Sequence, residues 1–169
     1  MKHKFQLKKD EPVYFKRRSL SPKHNKIAWE ELQKMLKVGI IIPAISEWSS
    51  PVFIATKKDG RPRFCEDYRA INSLMRADRW PIPRIREIFD DLIGAKFFTV
   101  LDLFSGSWQV RLSDGFKDKT TFVCRYETFR FEVLPFGLIN APTTFQLICL
   151  LYTSPSPRDQ RGSRMPSSA

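Results

Sequence analysis

Thr99-Val100-Leu101-Asp102-Leu103-Phe104-Ser105-Gly106 is an apolar run that delivers one carboxylate and then breaks into small residues. Lys96 to Asp102 has the length and composition of a buried strand, and Ser105-Gly106 suits a turn behind it. A lone aspartate at a strand end has two chemical uses. Its oxygens cap the backbone N–H groups of the next turn, or they ligate a hard cation. Downstream, Pro135-Phe136-Gly137-Leu138-Ile139-Asn140-Ala141-Pro142 follows an order that neither helix nor strand propensity explains. Pro142 lies in the first turn of a helix expected from Asn140 to Leu151.

Outward from these blocks the chain alternates helical and strand patterns. Ser21-Pro22 reads as an N-cap followed by proline at the first helical position. Ile27, Trp29, Leu32, Met35 and Leu36 then recur at helical spacing, and Gly39 closes the helix. Val52 to Thr56 and Arg63 to Tyr68 are strand-like, joined by Lys57-Lys58-Asp59-Gly60-Arg61-Pro62 with its Asp-Gly turn. Pro81 and Pro83 interrupt the chain before a helix from Ile85 to Leu92, ended by Gly94. Thr120 to Val133 alternates aromatic and polar residues about a turn near Glu127-Thr128, the pattern of a second hairpin. These elements predict an α+β fold.

Composition sets the limits. The chain has 169 residues, 42% of them hydrophobic, enough for one domain with a core. No apolar run reaches the length of a membrane span. The three cysteines stand far apart with no His/Cys cluster, so neither a disulfide framework nor a zinc site is expected. The net charge of +11 is concentrated: residues 1–26 carry nine Lys/Arg against Asp10 and Glu11. Residues 1–20 show no sustained period and read as an extended basic arm. Such an arm either grips phosphate backbones by counterion release or stays solvated. After Tyr152 the chain becomes Ser/Pro/Arg-rich and cannot bury enough apolar surface to order itself, so 152–169 is expected to be disordered.

Several blocks in register resemble the reverse transcriptase of gypsy-type LTR retrotransposons. They run from about Lys16 to Gln146 and include Trp48-Ser49-Ser50-Pro51-Val52, Gly94-Ala95-Lys96-Phe97-Phe98, Leu101-Asp102-Leu103 and the Pro135 to Pro142 block. The resemblance implies the fingers and partial palm of a right-hand polymerase, with an antiparallel palm sheet and packed helices. Residues 21–95 would be fingers-like and 96–151 partial palm. The implied activity is RNA-directed DNA polymerisation on a template-primer duplex with dNTPs, inside a Pol polyprotein in cytoplasmic particles.

Residue roles carry over by the same resemblance. Asp102 would be the catalytic carboxylate and a ligand of two Mg²⁺ ions, with the Leu103 carbonyl as a further oxygen ligand. Such ions stand about 3.5–4 Å apart and stabilise the attacking and leaving oxygens. Lys57 or Lys58 and Arg63 would grip the incoming triphosphate. Phe104, Ser105, Gly106, Ser107, Phe136 and Gly137 would line the nucleotide, and Asp67, Tyr68 and Arg69 would support the template side. Glu66 stands where the family usually has an apolar residue.

Two departures matter. Ser107 replaces the aromatic that excludes the ribose 2′-hydroxyl, which predicts poor discrimination against ribonucleotides. No Asp-Asp pair follows Asp102, so the Tyr-x-Asp-Asp motif is missing and the 169-residue chain is expected to be inactive; the alternative reading is a non-catalytic nucleic-acid-binding remnant. From Leu151 onward the sequence resembles translated adapter or vector sequence. The strand bearing Asp102 would then lack its usual neighbour, leaving an apolar edge that favours aggregation.

Overall fold

In the computed structural model, which describes residues 2–3, 5–78, 84–100 and 102–153, the elements follow the sequence closely. They run β1 (Lys2–His3), α1 (Pro22–Lys37), β2 (Ile41–Pro43), β3 (Ser50–Thr56), β4 (Pro62–Glu66), α2 (Arg69–Leu74) and α3 (Ile85–Asp91). Then come β5 (Arg111–Leu112), α4 (Asp114–Lys117), β6 (Phe122–Val123), β7 (Thr128–Phe131) and α5 (Ala141–Thr153), with a 3₁₀ turn at Gly106–Gln109. Leu101, Pro81, Pro83 and the tail from 154 onward lie outside the described residues.

Ser21 starts α1 as its sequence predicts. Its hydroxyl accepts the His24 N–H at 3.3 Å, and Pro22 sits where no donor is needed. Ala28, Leu32 and Met35 turn inward, each adding roughly 1.5–3 kcal/mol for a fully buried large side chain and less for alanine. Asn25 is the one buried polar residue on that face, and its amide donates to the Leu20 carbonyl at 2.9 Å.

The main sheet has the order β2-β7-β6-β3-β4. Both expected hairpins are present, β3/β4 with Val52 opposite Glu66, and β6/β7 with Phe122 opposite Phe129. The sheet is mixed rather than wholly antiparallel, because β3 and β6 pair in parallel through Ser50 and Phe122. Strands from different hairpins meet there, so no tight turn dictates their direction. Phe122 lies at the centre of the core, with its ring 5.4–5.9 Å from those of Phe64, Phe129 and Phe131.

The basic arm is extended but not solvated along its length. Phe5 is buried, with its ring 4.9 Å from Phe116, and β1 pairs in parallel with β5. The Lys8 N–H donates to the Leu74 carbonyl at 2.7 Å and the Arg76 N–H to the Gln6 carbonyl at 2.9 Å. A few apolar residues among many lysines are enough to dock an extended chain, because its backbone donors find partners.

The strand expected from Lys96 to Asp102 does not form among the described residues. Residues 95–100 form no strand, and the segment that should be buried is open to solvent: Phe97 is 92% exposed and Phe104 89%. Apolar composition alone does not make a strand, which needs a neighbour to take its N–H and C=O groups. Among the described residues none pairs with this segment.

Candidate functional site

Two clefts flank the β3/β4 hairpin. The first, about 430 Å³, is lined on the hairpin side by Lys57, Arg63 and Glu66, on α1 by Glu31 and Met35, and opposite by Trp108, Phe136 and Gly137. Arg63 lies over the Phe136 ring, 5.7 Å from its centroid, and the Trp108 ring packs against Phe136 with centroids 5.7 Å apart and planes tilted by 53°. Stacking against an aromatic face holds a guanidinium in place while leaving its N–H fork available. The arrangement is a cationic pocket with an aromatic wall, suited to a planar, polyanionic ligand. Lys57 lines it and Lys58 does not.

The Pro135-Phe136-Gly137 turn is held by a side chain that sequence reading missed. The Asn72 amide donates to the Gly137 carbonyl at 2.8 Å, and its oxygen accepts the Ile139 N–H at 2.9 Å. Asn140 reciprocates: its amide donates to the Arg76 carbonyl at 2.8 Å and its oxygen accepts the Asp78 N–H at 3.1 Å. Two asparagines thus lock the turn and the chain after α2 together. Gly137 has φ +89°, a conformation that side chains with a Cβ adopt only under strain.

Glu66 faces both clefts. Loss of hydration pushes its carboxyl up to about 8, against the opposing pull of its own backbone N–H and of Arg63. Near neutral pH it is therefore largely protonated and does not cancel the positive charge of Lys57 and Arg63.

The second cleft, about 440 Å³, is lined by Arg18, Phe53, Asp67, Arg69 and Asn72 among others. Asp67 accepts from Arg69 Nε at 2.8 Å and from Arg18 Nη2 at 2.7 Å. The Arg69 hydrogen bond above all holds its carboxyl below the usual carboxylate range, despite partial desolvation. Tyr68, expected on the template side, lines this cleft while being largely buried in the core. It is 2% exposed, and its hydroxyl donates to the Thr120 carbonyl at 2.9 Å.

The Asp102 segment stands apart from both clefts. Asp102, Leu103, Phe104, Ser105, Gly106 and Ser107 line neither of them. Ser105 has φ +46°, a left-handed conformation uncommon outside glycine. Gly106 meets the ring of Phe145 on α5: a Cβ there would lie 2.6 Å from Cζ. Its sequence role is therefore close packing. Among the described residues no three His, Cys, Asp or Glu side chains converge where a cation could sit. Asp102 and the Leu103 carbonyl are the oxygen donors this segment offers to Mg²⁺, an ion commonly held by one or two carboxylates with waters and phosphates completing its shell.

Comparison with known proteins decides the family. The model described as "Reverse transcriptase (RNA-dependent DNA polymerase)" matches residues 55–153, more than half of the chain. The chain belongs to the reverse transcriptase family. Among reverse transcriptase relatives it is 39% identical over 151 residues to the Retrovirus-related Pol polyprotein from transposon 412 of Drosophila melanogaster, covering 86% of this chain and 12% of that one. An RNA-directed DNA polymerase homolog of Oenothera berteroana is 52% identical over 83 residues, covering 49% of this chain and 58% of that one. The chain thus spans a small part of the polyprotein it matches. Among solved structures, the prototype foamy virus protease-reverse transcriptase CSH mutant has a TM-score of 0.77 at 25% identity, covering 88% of this chain and 20% of that one. The foamy viral protease-reverse transcriptase in complex with dsDNA gives 0.82 at 22%, covering 93% and 33%. The reverse transcriptase fold is therefore common to both.

Proposed function

We propose that this chain is the fingers and first palm segment of a retrotransposon RNA-directed DNA polymerase, and that the cleft between α1, the β3/β4 hairpin and the Phe136 turn receives the dNTP. The observation that carries this reading is the meeting of Lys57 and Arg63 with Phe136, Gly137 and Trp108 in one cleft. Lys57 and Arg63 grip the triphosphate, Lys57 rather than Lys58 because only Lys57 reaches the cleft. Phe136 and Trp108 bound the nucleotide, with Ser107 and Gly106 in the adjoining turn. Asp67 and Arg69, with Arg18, hold the template side. Asp102 is the first carboxylate of the catalytic centre, which in the whole enzyme would be completed by further carboxylates and Mg²⁺.

With no Asp-Asp pair after Asp102, the 169-residue chain binds nucleotide and template but does not extend a primer. Equilibrium binding of a fluorescent dNTP tests the first part. Arg63→Ala should weaken it about tenfold or more, since a charge-assisted bidentate contact is lost, and Lys58→Ala should leave it nearly unchanged. An unlabelled ribonucleotide should compete almost as well as the deoxy form, because Ser107, in the turn beside the cleft, carries no ring to set against the 2′-hydroxyl. Equal effects of Arg63→Ala and Lys58→Ala would contradict the assignment. Primer extension in Mg²⁺ that Asp102→Asn abolishes would overturn the proposed inactivity while upholding the polymerase.

A further inference from the structure

We propose that Tyr14, Phe15, Lys16 and Arg17 form a track for the single-stranded 5′ part of a template, leading into the cleft of Arg18, Asp67 and Arg69; this extends the polymerase reading and rests on it. The segment is pinned to the body. The Phe15 N–H donates to the Ser49 carbonyl at 2.9 Å, the Ser49 N–H to the Val13 carbonyl at 2.9 Å, and the Ser49 hydroxyl to the Phe15 carbonyl at 3.1 Å. Ser49 itself is buried, so the anchor is firm and the backbone is ordered before any ligand arrives. That lowers the ordering cost of binding.

What the pinned segment displays is unusual for a solvated arm. Tyr14 is 66% exposed and Phe15 44%, and neither ring packs on another aromatic ring among the described residues. Lys16 and Arg17 are exposed and form no ion pair among the described residues. From residue 13 to 26 the chain carries five basic residues and no acidic one. Exposed aromatics interleaved with free cations are the features that bind single strands without reading sequence: bases stack on the rings and phosphates meet the charges. Duplex DNA offers no unstacked base faces for those rings.

Position supplies the direction. Arg18 follows Arg17, pairs with Asp67 at 2.7 Å, and lies 6.0 Å from the centroid of Phe53. Three chain steps separate Phe15 from Arg18, a span of at most about 10 Å, or roughly two to three nucleotides. A strand leaving the second cleft past Arg18 therefore meets Lys16 and Arg17 and then the two rings.

The test uses the 169-residue chain and a labelled primer-template duplex, once blunt and once with a twelve-nucleotide 5′ template overhang. The double variant Tyr14→Leu/Phe15→Leu keeps apolar bulk but removes stacking. It should lose about tenfold or more in affinity for the overhang substrate and little for the blunt one. Tyr14→Phe should retain overhang binding. Lys16→Ala/Arg17→Ala should flatten the slope of log affinity against log salt by about 1.4 on the overhang substrate. Thermal melts of each variant confirm that the fold is retained. No loss in the Leu variant, or equal loss on both substrates, overturns the track while leaving the polymerase reading intact. Failure of the unaltered chain to bind either substrate overturns both.

Discussion

Gly106 and Glu66 show how single residues here differ from the roles their neighbourhood suggests. Gly106 lies in a motif expected to touch nucleotide, yet the space where its Cβ would go is filled by the Phe145 ring. Gly106→Ala should lower stability by about 1–3 kcal/mol through overpacking, measured by urea denaturation. Phe145→Leu in the same chain should recover part of the loss, as expected for residues in contact. Glu66 has the opposite character, a carboxyl that faces both clefts yet is poorly hydrated. Its folded form holds a proton from near 4.5 to about 8. Its contribution is thus complete below pH 4.5 and is lost as pH rises to about 8, because there the unfolded chain sheds the proton first. Glu66→Gln should match the parent in Tm near pH 4.5 and exceed it by several degrees at pH 8.5. A constant difference across that range would show that Glu66 is fully hydrated.

Elements were legible in the sequence where local chemistry decides them. Ser21-Pro22 placed the start of α1, and Asp59-Gly60 placed the turn of the β3/β4 hairpin. Residues 95–100 differ from the strand their composition predicts because strand formation depends on a partner that local composition does not reveal. Their exposed apolar side chains predict self-association. Phe97→Ser with Val100→Thr should suppress concentration-dependent light scattering without lowering Tm, since neither side chain is buried. The docking of the arm was equally hidden, because Phe5 finds Phe116 across 111 positions of sequence. Asn72 was missed for a related reason. An asparagine in a short helix carries no signal of its own, and its value appears only when the Gly137 turn arrives beside it. Asn72→Ala leaves the Gly137 carbonyl and Ile139 N–H without that partner, and should weaken nucleotide binding several-fold. Asn140→Ala should do the same through the other half of the lock.

For the whole molecule, folding gathers residues from distant parts of the chain into two adjoining clefts. Lys57 and Arg63 come from one hairpin, Phe136 and Gly137 from a turn some seventy positions later, and Glu31 from the first helix. Ion pairs away from the clefts range from local to distant: Lys117 pairs with Asp114 and Glu132, Arg130 with Asp118, and Lys119 with Asp10. These contacts hold the arm, α4 and β7 as one body behind the site. The hairpin cations and the Pro-Phe-Gly turn were recognisable in the sequence. Their common cleft, its Trp108 wall and the role of Arg18 emerged from the fold. The most direct test of the nucleotide cleft is photo-crosslinking of an azido-dATP to the 169-residue chain, followed by peptide mapping. Label should fall on the segments 57–63 and 136–137 and be displaced by excess dATP. Displaceable label confined to other segments would contradict the cleft as the nucleotide site.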